Sequence, residues 1–242
     1  MKVALFATCL VDQLWPTVGE ATVEVLRRAG CEVTFDARQT CCGQPAYNTG
    51  YREEARRVGG SLVDLYDADP ADAIVFPSGS CAAMVHHLPE LFAEDDPRHG
   101  KAKAVAARTF ELGALLVRHL GVTDLGARFP GKVTWHDACH GLRELGIKDE
   151  PRALLDEVQD LELVEATGCD TCCGFGGTFS VKHPELSVAM LDQKLQHLEV
   201  AGIDTVVSGD VSCLMQIQGR LEHRGSPVKT AHLAEVLAGG RS

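Results

Sequence analysis

Long apolar runs are missing from this 242-residue chain, and no stretch approaches the ~18–20 residues of a membrane-crossing helix. Surplus positive charge is missing too. Only 23 Lys and Arg face 34 Asp and Glu, a formal net charge of −11, which argues against nucleic acid or an anionic membrane as partner. The opening Met1-Lys2-Val3-Ala4-Leu5-Phe6 moves straight into a strand-like run and does not read as a secretion signal, so a cytoplasmic protein is expected. No low-complexity segment and no long linker interrupts the chain. No G-x-G-x-x-G opens either half, and the glycines of Gly174-Phe175-Gly176-Gly177 have a different spacing, so no nucleotide, flavin or nicotinamide site is assigned.

Cysteine is what the chain does have, 10 residues of it. A secreted disulfide framework would explain that number in a short chain, but the length, the core size and the opening residues count against it. In a reducing compartment, clustered cysteines point to metal or redox chemistry. Their spacing is informative. Cys9, Cys41, Cys42 and Cys81 map onto Cys139, Cys172, Cys173 and Cys213 with offsets of 130, 131, 131 and 132. Drift of one residue per connecting loop is the mark of an internal duplication. The chain therefore divides into two repeats, 1–128 and 129–242, each with its own four cysteines.

The hydrophobic pattern gives both repeats the same plan. In the first, strands are expected at Val3–Ala7, Cys31–Phe35 and Ala73–Phe76, with helices over Thr17–Arg28, Tyr51–Tyr66, from Cys81, and over Phe110–Leu120. Residues 93–102 read as a polar connector. In the second, strands are expected at Val133–Trp135, Leu161–Val164, Thr205–Ser208 and Val228–Thr230. Helices are expected over Pro151–Val158, Pro184–Ala201, Leu214–His223 and His232–Ala238. Alternating strands and helices make an α/β fold: two duplicated Rossmann-like parallel-sheet halves related by a pseudo-two-fold axis. Loops after parallel strands gather along one sheet edge. Every cysteine of the duplicated set follows a strand, so residues distant in sequence converge there.

Adjacent pairs at Cys41-Cys42 and Cys172-Cys173 suit zinc poorly, because structural zinc sites draw on close C-x-x-C pairs and neighbouring side chains diverge. An iron–sulfur cluster offers several iron corners, and adjacent thiolates can take different ones. Gly43 and Gly174 let backbone N–H groups approach sulfur, and Cys81 and Cys213 at helix starts gain from the helix dipole. Cys31 reads as a buried structural thiol. Cys169 stands three residues before Cys172 and is a candidate extra ligand or redox thiol. His136 and His140 bracket Cys139 and should line the second site, with His140 as the candidate proton donor.

These motifs carry a resemblance. C-x(31–32)-C-C-G-x(37–38)-C, present twice, resembles the cysteine-rich CCG domain found in heterodisulfide reductase and in the iron–sulfur subunit of glycolate oxidase. Thr40-Cys41-Cys42-Gly43-Gln44-Pro45-Ala46-Tyr47-Asn48-Thr49-Gly50, Pro77-Ser78-Gly79-Ser80-Cys81 and Cys172-Cys173-Gly174-Phe175-Gly176-Gly177-Thr178-Phe179 are similar to stretches of the lactate utilization protein A group of that family. The resemblance spans essentially the whole chain. It implies an iron–sulfur subunit of a complex oxidising L-lactate to pyruvate, partnered by a ferredoxin-type iron–sulfur subunit and a third small subunit. The heterodisulfide reductase relatives end each repeat in C-x-x-C and hold a five-thiolate non-cubane cluster. Here the first of those cysteines is Ser78 in one repeat and Asp210 in the other. Two four-cysteine [4Fe–4S] clusters are the simpler expectation, and a fifth ligand in the second repeat would have to be Cys169 or Asp210. A metal-organised scaffold or thiol-based redox protein without turnover is the competing reading.

Overall fold

The computed structural model describes residues 1–200 and 202–239, with the side chains of Glu199 and Val200 left out. The first half runs β1 Lys2–Leu5, α1 Cys9–Leu14, α2 Pro16–Arg28, β2 Glu32–Phe35, α3 Gln44–Asn48, α4 Arg52–Asp67, β3 Ala73–Phe76, α5 Gly79–His87, α6 Pro97–Ala107, β4 Thr109–Glu111 and α7 Leu112–Ala114, which continues as a π-helical turn Leu115–His119. The second runs β5 Arg128–Trp135, α8 Cys139–Arg143, α9 Asp149–Asp156, β6 Gln159–Leu163, α10 Phe179–Lys182, α11 Pro184–Val200, β7 Thr205–Ser208, α12 Val211–His223, β8 Lys229–His232 and α13 Leu233–Leu237. The strand orders are β2-β1-β3-β4 and β6-β5-β7-β8, all parallel. The two halves thus share one topology, as the duplicated sequence requires.

The period-2 alternation of a strand sends successive side chains to opposite faces. Val3, Leu5, Ala73 and Val75 accordingly enter one core with Val133, Trp135, Val207 and Leu233 of the other half. Ala4, Phe6, Ile74 and Phe76 face outward into a second core under α4, α5 and α6. Phe6 stacks on Phe76 there at 4.6 Å between ring centroids. Val206 meets Leu191, Leu195 and Ile217 in the matching core of the second half. Both faces of each sheet are therefore covered, and the central strands β3 and β7 are buried along their whole length.

Two departures from the sequence reading stand out. Phe110–Leu120 is not one helix, because Thr109–Glu111 pairs with β3 as a fourth strand and the helix starts only at Leu112. Three residues are too few to show alternation. The expected polar connector 93–102 is helical from Pro97, in a helix that runs on to Ala107. Asp96 caps that helix through the Arg98 N–H, and Pro97 takes its first position. Ala201, the expected end of the long helix from Pro184, lies outside the described residues, as do 240–242 at the end of the second repeat.

Candidate metal centres

Each isolated cysteine of the duplicated set lies in the first turn of a helix that follows a strand. Cys9 and Cys139 are the first residues of α1 and α8, whereas Cys81 and Cys213 lie at the third positions of α5 and α12. Thr8, Ser78 and Asp210 cap three of these helices, so their side chains fix where the chain turns. The paired cysteines ride on loops closed by Gly43 (φ +91°) and Gly174 (φ +82°). Left-handed backbone at both positions aims the glycine N–H back at sulfur: Gly43 N–H lies 3.4 Å from Cys41 Sγ, and Gly174 N–H lies 3.4 Å from Cys172 Sγ.

The fold brings all eight expected ligands into two quartets. In the first, Cys9 Sγ lies 3.9 Å from Cys41 Sγ, and Cys42 Sγ lies 3.3 Å from Cys81 Sγ. In the second, Cys139 lies against Cys172, and Cys173 Sγ is 3.2 Å from Cys213 Sγ. Both quartets settle their charge the same way. Cys41 is held far below the ordinary thiol range by hydrogen bonds from Cys42 and Cys9, helped by Gly43 N–H. Cys172 is held down likewise by Cys139 and Cys173, helped by Gly174 N–H. The thiols that donate are pushed up by that same bond and by burial: Cys9, Cys42, Cys139 and Cys173. Negative charge is thus favoured at Cys41 in one quartet and at Cys172 in the other. A second negative charge in that small volume calls for cations.

The donor chemistry fits an iron–sulfur cluster: four thiols, backbone N–H groups aimed at sulfur, and helix N-termini. A single tetrahedral zinc fits the first quartet less well. Zn–S bonds of about 2.3 Å require all four sulfurs at mutual distances near 3.8 Å. Among the described residues, no three sulfurs of the first quartet lie within 4.8 Å of one another. They form an open chain, Cys9 to Cys41 to Cys42 to Cys81, rather than one tight group. Beside them is a cavity of about 230 Å³ lined by Cys9, Cys41, Cys42 and Cys81, with Phe175 and Val211 of the other half on its far wall. That space is several times the ~30 Å³ that one water takes up in the liquid.

The second quartet has neighbours the first lacks. His136 is buried beside it, with a ring nitrogen within 4.8 Å of Cys173 Sγ and Cys213 Sγ. Desolvation, with the charge of Lys194, pushes the His136 pKa down to about 3, so the ring is neutral. Lys194 is buried as well, and its ammonium donates to the carbonyls of Gly168, Cys169 and Thr171 in the loop carrying Cys172-Cys173. Sequence periodicity placed Lys194 on a long amphipathic helix and gave no hint of this inward turn. Cys169, a candidate extra ligand by its spacing, stands outside the quartet. Its thiol lies 3.5 Å from Asp137 Oδ2 and 3.8 Å from an Arg152 nitrogen, while Arg152 grips Asp137 with two nitrogens at 3.0 Å. Asp210, the other candidate, already receives Ser78 Oγ–H, Ser80 N–H and the Ser212 hydroxyl. Cys31 is a core thiol 7% exposed, as its pattern suggested.

His140 sits between the quartets. Its Nδ1 is 3.5 Å from Cys139 Sγ, and its Nε2 is 3.2 Å from the Gln44 side-chain nitrogen, one residue past Gly43 of the first site. The same Gln44 nitrogen donates to the Ser80 carbonyl. A ring that accepts from Gln44 at Nε2 carries its proton at Nδ1, facing the Cys139 sulfur.

The model of the cysteine-rich domain, CCG, matches residues 3–86 and again 133–218. The chain belongs to the CCG cysteine-rich domain family. Its two CCG repeats cover both quartets, from before Cys9 to past Cys81 and from before Cys139 to past Cys213. Among curated relatives, lactate utilization protein A of Exiguobacterium sp. is 50% identical over 239 residues, covering 99% of this chain and 98% of that protein. Lactate utilization protein A of Geobacillus sp. is 47% identical over 237 residues, covering 98% and 99%. A glutamate racemase, isoform RacE1 from Bacillus anthracis, is similar at 15% identity and a TM-score of 0.39, over 98% of this chain and 78% of that one. The CCG repeats carry the functional reading, since so distant a likeness carries none.

Proposed function

We propose that this chain is the iron–sulfur subunit of a bacterial system that oxidises L-lactate to pyruvate. The observation that carries the reading is the pair of thiol quartets, built alike on a duplicated frame that is similar over its full length to lactate utilization protein A. Each repeat, 1–128 and 129–242, frames one centre. Cys9, Cys41, Cys42 and Cys81 would hold one [4Fe–4S] cluster, and Cys139, Cys172, Cys173 and Cys213 the other. Such clusters supply one-electron transfer at a potential set by hydrogen bonds to sulfur, charge and exposure. Gly43 and Gly174 N–H donate those hydrogen bonds, and Lys194 places a buried positive charge near the second centre. His140 holds a proton at Nδ1 against Cys139 and is the residue placed to pass one as charge moves. A ferredoxin-type iron–sulfur subunit and a third small subunit are the partners, in the cytoplasm, where thiols stay reduced. Among the described residues no helix is long and apolar enough to cross a membrane.

Protein purified without oxygen should be brown and hold about eight irons and matching sulfide, four for each quartet. Colourless protein with two zinc ions would overturn the reading. One observation favours a second reading, a thiol-based redox or metal-organised protein without turnover. Cys42–Cys81 and Cys173–Cys213 are already in sulfur–sulfur contact, and a two-electron oxidation would close either pair. Growth on lactate alone with Cys42→Ser or Cys173→Ser in place of the natural chain separates the two. Failure to grow, with the folded protein still present, supports the lactate system, whereas unimpaired growth refutes it.

A further inference from the structure

The second centre has a donor that the first does not. His136 begins the run that leads from β5 to Cys139, and it is 1% exposed. Nδ1 lies 3.3 Å from the Cys169 carbonyl oxygen, which can only accept, so Nδ1 carries the proton. The lone pair is therefore on Nε2. That atom is buried without a hydrogen-bond partner. The ring also brings a nitrogen within 4.8 Å of both Cys173 Sγ and Cys213 Sγ, which are 3.2 Å from each other. A buried acceptor left unpaired costs about 1–3 kcal/mol and is rare unless something occupies it. The backbone carbonyl that fixes the tautomer through the far nitrogen is the arrangement found behind metal-bound histidines. At the matching place before Cys9 stands Phe6, stacked on Phe76 in the apolar core. Duplication has given one repeat an imidazole and the other a hydrocarbon at this place.

We infer that His136 Nε2 is a nitrogen ligand of the metal group at the second quartet, making that centre a four-sulfur, one-nitrogen site beside an all-sulfur first one. The inference rests on the iron–sulfur reading above. The other candidates for a fifth donor are engaged: Cys169 with Asp137 and Arg152, and Asp210 with Ser78, Ser80 and Ser212. The two centres would then differ in ligand set, and ligation is one of the factors that set a cluster's potential.

The test is pulsed electron paramagnetic resonance on the anaerobic, reduced full chain, with and without ¹⁵N-labelled histidine. Cys42→Ser removes the first centre's signal, so that the remaining one belongs to the second. A strong nitrogen coupling that changes to the ¹⁵N pattern on labelling, persists in His140→Phe and is lost in His136→Phe supports the inference. Phenylalanine is the residue the first repeat uses at this place, and the labelled natural chain gives an answer even if the variant does not fold. A second centre that holds iron and sulfide but shows no histidine nitrogen overturns the inference and leaves the cluster reading standing. A chain that takes up no iron and sulfide overturns both.

Discussion

Gly174 offers the sharpest perturbation, because three glycines of similar backbone conformation differ only in their surroundings. Gly50, Gly43 and Gly174 have φ of +87°, +91° and +82°, so alanine at any of them carries the left-handed strain of about 1–2 kcal/mol. A Cβ at Gly50 meets nothing within 4 Å. At Gly43 it would lie 3.2 Å from the Ala55 carbonyl oxygen, which asks a neighbour to yield slightly. At Gly174 it would lie 2.5 Å from the Ser187 carbonyl oxygen, deep in repulsion. That oxygen belongs to backbone in α11, and Ser187 is held in turn by Gly174 O and Gln216 at 2.8 Å each. Nothing there is the free end of a flexible side chain.

Gly50→Ala should therefore cost about 1 kcal/mol, Gly43→Ala about 2, and Gly174→Ala about 3 or more. At this chain length those costs correspond to melting points lower by roughly 2–4, 4–8 and at least 6–12 °C. Thermal unfolding followed without oxygen, at equal metal content, measures the series, because a bound group adds its own stabilisation. Gly174→Ala should also lose second-centre metal before first-centre metal, since the displaced loop carries Cys172-Cys173. Equal losses for Gly50→Ala and Gly174→Ala would refute the reasoning, as the contact with Ser187 would then have no consequence.

Burial raises Glu111 to about 7, despite N–H donors from Ala114 and Gly113. A carboxyl lifted from 4.5 to about 7 gives stability that is complete below pH 4.5 and lost as pH rises through 7, about 3 kcal/mol in all. Denaturant unfolding between pH 4.5 and 7.5 should therefore show a decline that Glu111→Gln flattens. Lys194→Met strips three carbonyls of their donor, and should cost about 2–4 kcal/mol while lowering iron at the second centre only, as read by unfolding and metal analysis. Arg152→Met leaves Asp137, 3% exposed, without its cation, and should cost about 3 kcal/mol. Adding Asp137→Asn to that variant should restore part of the loss in the same unfolding assay, because the stranded charge is then gone.

The duplicated cysteine spacing made both quartets and the α/β plan readable, because a ligand set that must converge constrains sequence position directly. Strands β3 and β7 were readable to the residue, since fully buried strands are unbroken apolar runs between turn residues. Strand β4 was hidden by its three residues and by the helix that follows at once. The site residues that sequence missed have no periodic signature. Lys194 lies in a helix where charge normally means solvent, and only three carbonyls turned toward its ammonium reveal it. Placing His136 and His140 together beside Cys139 was correct as to neighbourhood. Their different surroundings were not legible, since adjacency in sequence says nothing of which ring nitrogen faces sulfur and which faces the other half.

Neither repeat completes its surroundings alone, and the contacts between them come in matched pairs. Gly79 of α5 comes so near Gly141 of α8 that a Cβ would lie 3.1 Å from its Cα, while Val11 of α1 packs with Val211 of α12 at the equivalent place. On the axis between them, Ser78 and Asp210 meet as a bridging antiparallel pair, each at the cap of a helix that presents a quartet cysteine. The Asp210 carboxylate accepts from α12 and α5 together, so one buried side chain fixes Cys81 and Cys213 relative to each other. Ser78 and Asp210 together thus keep the two thiol quartets in register.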